Sequence, residues 1–148
     1  MASRVILASP RTLFRTFLDA ETLCAWRAPE GMTATLKAFD PKVGGGYLMV
    51  LRYEGADALE HGKTRPGEDE IAVTFVEMLA EERVVETVRF VTGDAPFLGE
   101  MRLTTLFEPA REGTKVTIRA ENVPAGISAD DHRQGMLSSL RSLANLTE

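Results

Sequence analysis

The sequence predicts an α+β fold in which an antiparallel sheet of about seven strands packs against one long C-terminal helix. Three observations predict it. Apolar residues recur at helical spacing between Ser128 and Leu146. From Met32 to Asn122 the period drops to about two, with Gly, Pro and Asp at the turns. One short apolar run and two short helix signatures precede that sheet half.

In chain order, Ser3 to Ala8 reads as a strand. Ser9-Pro10 follows as an N-cap with proline at the first helical position, and Leu13, Phe14, Phe17 and Leu18 supply one apolar face. Asp19 caps a second short helix, Ala20 to Trp26, which Ala28-Pro29-Glu30-Gly31 ends. Met32 to Phe39 alternates Thr33, Thr35 and Lys37 with Ala34, Leu36 and Ala38. After the Asp40 to Gly46 turn comes Tyr47 to Tyr53, whose two faces are both largely apolar, so its inner face stays open. Residues 54–69 form a polar loop, read as a surface insertion or, alternatively, a flap. Glu70 to Leu79 and Glu82 to Val91 flank Ala80-Glu81 as a hairpin. Phe97 to Phe107 and Thr114 to Asn122 complete a sheet with one wet face, since Val116, Ile118 and Ala120 alternate with Lys115, Thr117 and Arg119. In the last helix Ser128 is the cap, Asp130 and Asp131 favour the first turn, and Met136, Leu137, Leu140, Leu143 and Ala144 form the buried stripe. Gly135 is out of place there, at a cost of about 1 kcal/mol relative to Ala, and suggests a close packing partner.

The totals narrow the function classes. At 148 residues, 44% hydrophobic, the chain is expected to form one domain with a sizeable core. A net charge of -5 argues against nucleic acid or an anionic membrane as partner. Cys24 stands alone, which excludes an intramolecular disulfide and fits a reducing compartment. The apolar run Val5 to Ala8 is too short for a signal-peptide core, so a cytoplasmic location is expected.

Several stretches resemble one known group of proteins. They are Ser9-Pro10 with Phe14, Ala20-Glu21 through Trp26, Phe39-Asp40-Pro41 leading to Gly45-Gly46, Glu81 to Glu86, Gly113-Thr114, and Gly135 with Leu140 and Leu143. In order and spacing they are similar to the START-like (SRPBCC) superfamily and, within it, to bacterial homologues of the C-terminal domain of the heat-shock protein 90 ATPase activator. The resemblance implies a helix-grip fold, in which a curved sheet wraps the C-terminal helix and leaves a cavity for a small apolar or amphipathic molecule. It also implies two alternatives: an enzyme of the polyketide cyclase or dehydratase kind, and a chaperone-binding ATPase activator. Pairing of two chains through a sheet edge or the helices is compatible with it.

Chemistry read from the residues is sparse. No Ser or Cys sits in a G-x-S-x-G elbow, and His61 and His132 are the only histidines, so a nucleophilic triad is not expected. Cys24 reads as a small apolar packer. His61 lacks ligand spacing around it, His132 reads as an exposed polar residue, and Gly44-Gly45-Gly46 lacks the Lys-Ser/Thr of a phosphate loop. Neither metal nor cofactor is expected. Glu86 is the exception, because strand phase sets its carboxylate beside Val84, Val88 and Phe90, where it must be paired, hydrated or protonated. Pointing into a cavity, it would orient a ligand's polar group or, with a raised pKa, act as an acid or base; the alternatives are that a bulge reverses the phase or that an Arg neutralises it. Glu77 shares a face with Ile71, Val73 and Phe75 but lies near a strand end. Given a cavity, Trp26, Phe75, Met101, Met136 and Leu140 are the candidate lining residues alongside Glu86.

Overall fold

The computed structural model describes residues 1–148. The elements are β1 (Ala2–Ile6), α1 (Pro10–Arg15), α2 (Ala20–Arg27), β2 (Met32–Asp40), β3 (Gly46–Tyr53), β4 (Glu68–Leu79), β5 (Arg83–Phe90), β6 (Met101–Pro109), β7 (Thr114–Glu121) and α3 (Ala129–Thr147). Short 3-10 turns lie at Ala58–Glu60 and Ala95–Phe97. The caps act as local chemistry requires. The Ser9, Asp19 and Ser128 side chains accept from the backbone N–H of Thr12, Thr22 and Asp131, each satisfying one of the free donors at a helix start.

The strands make one antiparallel sheet in the order β1-β7-β6-β5-β4-β3-β2. Strands β2 to β7 form a meander, and β1 adds at the far edge, where Ser3 pairs with Thr117 and Ile6 with Thr114. The inner face of β3 is Tyr47, Met49 and Leu51, which join the core cluster, so the phase that alternation left open is settled by pairing. Gly46 is required by that pairing, since a Cβ there would run into the Val73 carbonyl on β4.

Two bulges break the alternation. Between Leu36 and Ala38 the β2 register shifts, which turns Phe39 rather than Ala38 toward the core. Between Phe75 and Glu77 the β4 register shifts, so Met78 packs on the core while Glu77 turns to solvent and bonds Arg83. The expected shared face of Glu77 with Phe75 is thereby corrected. A period-2 reading has no way to register one extra residue.

The long helix α3 buries Met136, Leu140, Leu143 and Ala144 in the core it shares with the sheet, and Ser139 is buried against the end of α2. At one end of the core, the turn after α1 contributes Phe17 and α2 contributes Trp26, whose rings meet edge to face at 5.1 Å, and Phe17 meets Phe107 of β6 at 6.3 Å. Each such fully buried aromatic contributes about 2–3 kcal/mol of apolar transfer. No helix is long and apolar enough to cross a membrane.

Candidate functional site

The sheet and α3 close tightly only over the C-terminal half of the helix. Over its N-terminal half they part, leaving a cavity of about 840 Å3. The sheet supplies Leu51, Ile71, Val88, Met101, Leu103 and Ile118, and the helix supplies His132, Gly135, Met136 and Ser139. The loop before β4 forms a side wall with His61 and Lys63. Gly135 sits on this wall with nothing within 4 Å of where its Cβ would be. The close packing partner expected for it does not exist; the glycine faces open space.

Of the predicted lining residues, Met101 and Met136 border the cavity. Trp26, Phe75 and Leu140 have no exposed surface and belong to the packed core beyond it. Glu86 also has no exposed surface and does not border the cavity. Arg27, the last residue of α2, lies between them and forms part of the wall. Its Nη2 donates to Glu86 Oε1 at 2.7 Å, and the Tyr47 hydroxyl donates to Glu86 Oε2 at 2.9 Å. The Arg27 guanidinium lies 5.2 Å from the Trp26 ring centroid. Burial acts to lower its pKa, but Glu86 and Tyr47 outweigh burial and hold it above the ordinary value, so it is a permanent cation. Burial, assisted by Glu86, pushes the Tyr47 phenol well above its usual range, which keeps it a donor.

Two serines of α3 fix this corner. Ser139 Oγ donates to the Arg27 carbonyl at 3.1 Å, and Ser138 Oγ accepts from the Glu30 N–H at 2.7 Å. The helix therefore positions the end of α2 directly, and with it the guanidinium.

A second polar group closes the loop side. Lys63 Nζ donates to Asp69 Oδ2 at 3.0 Å and to the Tyr53 hydroxyl at 3.2 Å, while Tyr53 donates to Asp69 at 2.8 Å. The Tyr53, Phe90 and Phe97 rings surround the ammonium at 5.2 to 5.9 Å. Burial would lower the Lys63 pKa, but Asp69 and Tyr53 raise it, so this amine stays protonated and is not a nucleophile. His61 stacks on Tyr53 and sits 3.1 Å from Asp57, while Cys24 is half-buried against the core with its thiol pKa raised by burial.

His132 is half-buried on the cavity wall, not exposed as expected. Burial lowers its pKa, and the Met1 amino group, Arg27 and Lys63 lower it further. The sequence signals for Arg27, Lys63, Asp69 and Tyr53 were weak. Arg27 stands at a helix end like any surface arginine, and the other three sit in or beside a loop without periodicity.

The arrangement can enclose an apolar body between methionines and aliphatic strand residues and offer it cationic donors. It does not present Glu86 for proton transfer, because that carboxylate lies behind Arg27 with both oxygens engaged.

Among solved structures, the chain is similar to a protein of Chromobacterium violaceum at 28% identity, with 99% of this chain and 95% of that one covered and a TM-score of 0.84. It is also similar to a protein of Rhizobium loti at 25% identity, covering 97% and 92% with a TM-score of 0.69. A Rhodobacter sphaeroides protein shares the fold at 17% identity, with 98% and 89% covered and a TM-score of 0.75. No curated protein matches the chain. The family described as "Activator of Hsp90 ATPase homolog 1-like protein" matches residues 7–148. With strands β2 to β7 of the helix-grip sheet, the two short helices and the long α3 all falling inside that match, the chain belongs to this family.

Proposed function

We propose that this protein binds a small apolar or amphipathic molecule in the cavity between the sheet and α3, without chemistry of its own. The observation that carries the reading is the cavity: about 840 Å3, walled by aliphatic and methionine side chains from sheet and helix, with Glu86 shut away behind Arg27. Ligand pockets in proteins are of this size and combine apolar walls with polar groups that fix orientation; here strand and helix side chains give the apolar part, and Arg27, Lys63, Asp69 and His132 are polar groups on the wall. Methionines on both walls suit ligands of irregular shape, because their side chains repack at low cost.

The test is native mass spectrometry of protein purified gently from cells that produce it, with bound species identified after denaturation. One small molecule per chain, lost when Met136→Trp fills the cavity, is the expected result. A clean unliganded mass across several growth conditions would overturn the reading. Activation of a chaperone ATPase, the activity printed in the family's description, is read separately by adding the protein to purified Hsp90; no stimulation is expected.

A further inference from the structure

We infer that the molecule the cavity takes is an amphipathic carboxylate, its head held by Arg27 and its apolar body lying between Met101 and Met136. This rests on the cavity-binding reading and adds the chemical class of the ligand.

The first argument is the orientation of a buried ion pair. Arg27 borders the cavity, whereas its counterion Glu86 has no exposed surface and stands on the core side. The pair thus shows its positive end to the cavity. A guanidinium has five N–H donors in a planar fork that matches a carboxylate. Within the protein only Glu86, with the Tyr47 hydroxyl nearby, draws on them. Spare donors on a fixed, desolvated cation call for an acceptor, and an anion supplies one at least cost. Ser139 ties down the Arg27 backbone carbonyl and the rings of Trp26 and Phe17 flank the guanidinium, so little ordering is needed on binding.

The second argument concerns the remaining charges. Lys63 adds a cation to the same wall, balanced by Asp69. His132, facing both from α3, is affected by Arg27 and Lys63 as cations. The acidic residues of the cavity other than Asp69 are Glu30, Glu60 and Asp131, all exposed at its rim, with Glu30 3.6 Å from Arg141. Solvent screens them from the interior. Of these two cations, Lys63 is engaged by Asp69 and its ring enclosure, which leaves Arg27 to take a single negative charge.

The third argument excludes the opposite class. An aromatic enclosure is what a quaternary ammonium ligand requires, and Tyr53, Phe90 and Phe97 provide one. It is already filled by the Lys63 ammonium. A cationic ligand would have no ring face to occupy and would meet Arg27.

The experiment is isothermal titration calorimetry of the full chain with decanoate, decanol and decyltrimethylammonium, three heads on one tail. Wild type is expected to bind decanoate at least about tenfold more tightly than decanol, the difference between a charge-assisted and a neutral hydrogen bond, and the ammonium most weakly. In Arg27→Gln/Glu86→Gln, where both charges go together, decanoate and decanol should bind alike. If that variant fails to fold, the wild-type comparison alone decides. Equal affinity of decanoate and decanol in wild type, both lost in Met136→Trp, overturns the carboxylate inference and leaves the cavity reading standing. Binding of none of the three overturns both.

Discussion

Arg27 Nη2 and Glu86 Oε1 meet at 2.7 Å although 59 residues separate them, and Arg27 is the partner that faces the cavity. Its side chain is 9% exposed and that of Glu86 is 0% exposed, so neither charge is solvated well enough to stand alone. Desolvating two charges costs several kcal/mol per ion, which the pairing and the Tyr47 hydrogen bond offset. The pair contributes a definite placement of one cation more than it contributes net stability.

Removing one partner should therefore be far worse than removing both. Arg27→Met is expected to destabilise by about 3–5 kcal/mol by stranding Glu86, while Arg27→Met/Glu86→Leu should recover most of that loss. Urea denaturation midpoints with unchanged slopes would measure both. A double variant as unstable as the single one would show that the pair is a net stabiliser.

Gly135 occupies the middle of α3 with open space where its Cβ would be. Gly135→Ala should raise stability by about 1 kcal/mol through helix propensity alone. Thermal melting of the unliganded protein reads this directly, and a lowered melting temperature would mean that the position packs after all.

Thr105 has no exposed surface and its hydroxyl has no hydrogen-bond partner. Thr105→Val keeps the shape and removes the unsatisfied group, so stability should hold or rise by about 1 kcal/mol. A loss of more than that in chemical denaturation would reveal a partner for the hydroxyl.

His132 titrates below its ordinary value in the folded state because of burial and then the cations of Met1, Arg27 and Lys63. Between that lowered pKa and about 6.5, the unfolded chain binds more protons than the folded one, so stability rises with pH in this window. The stability is full above about pH 6.5 and is lost as pH falls through the folded pKa. Denaturation curves at neutral pH and near pH 5 should show a smaller acid loss in His132→Gln than in wild type. Equal losses would count against it.

The element order was legible from the chain because its signals are local. The caps at Ser9, Asp19 and Ser128 lie three residues from the N–H groups they satisfy, and the stripe Met136, Leu140, Leu143 is one helix's own periodicity. Strand phase likewise marked Glu86 as a buried carboxylate among Val84 and Val88. Where alternation failed, at Phe39 and at Glu77, one extra residue in a strand reversed the face, and only the partner strand reveals such a bulge.

The site was less legible. Met101 and Met136 lie on the cavity wall, but Trp26, Phe75 and Leu140 look the same in sequence and lie in the packed core. What separates them is the gap between two surfaces, which no residue spacing encodes. By itself, then, the sequence determined the elements, their order and the buried carboxylate, because these follow from contacts within a few residues. The tertiary structure decided that Arg27 stands in front of Glu86, that Lys63 fills an aromatic enclosure, and that a cavity opens over Gly135. Each of these depends on elements far apart in the chain, whose distance is set by how the sheet and α3 pack.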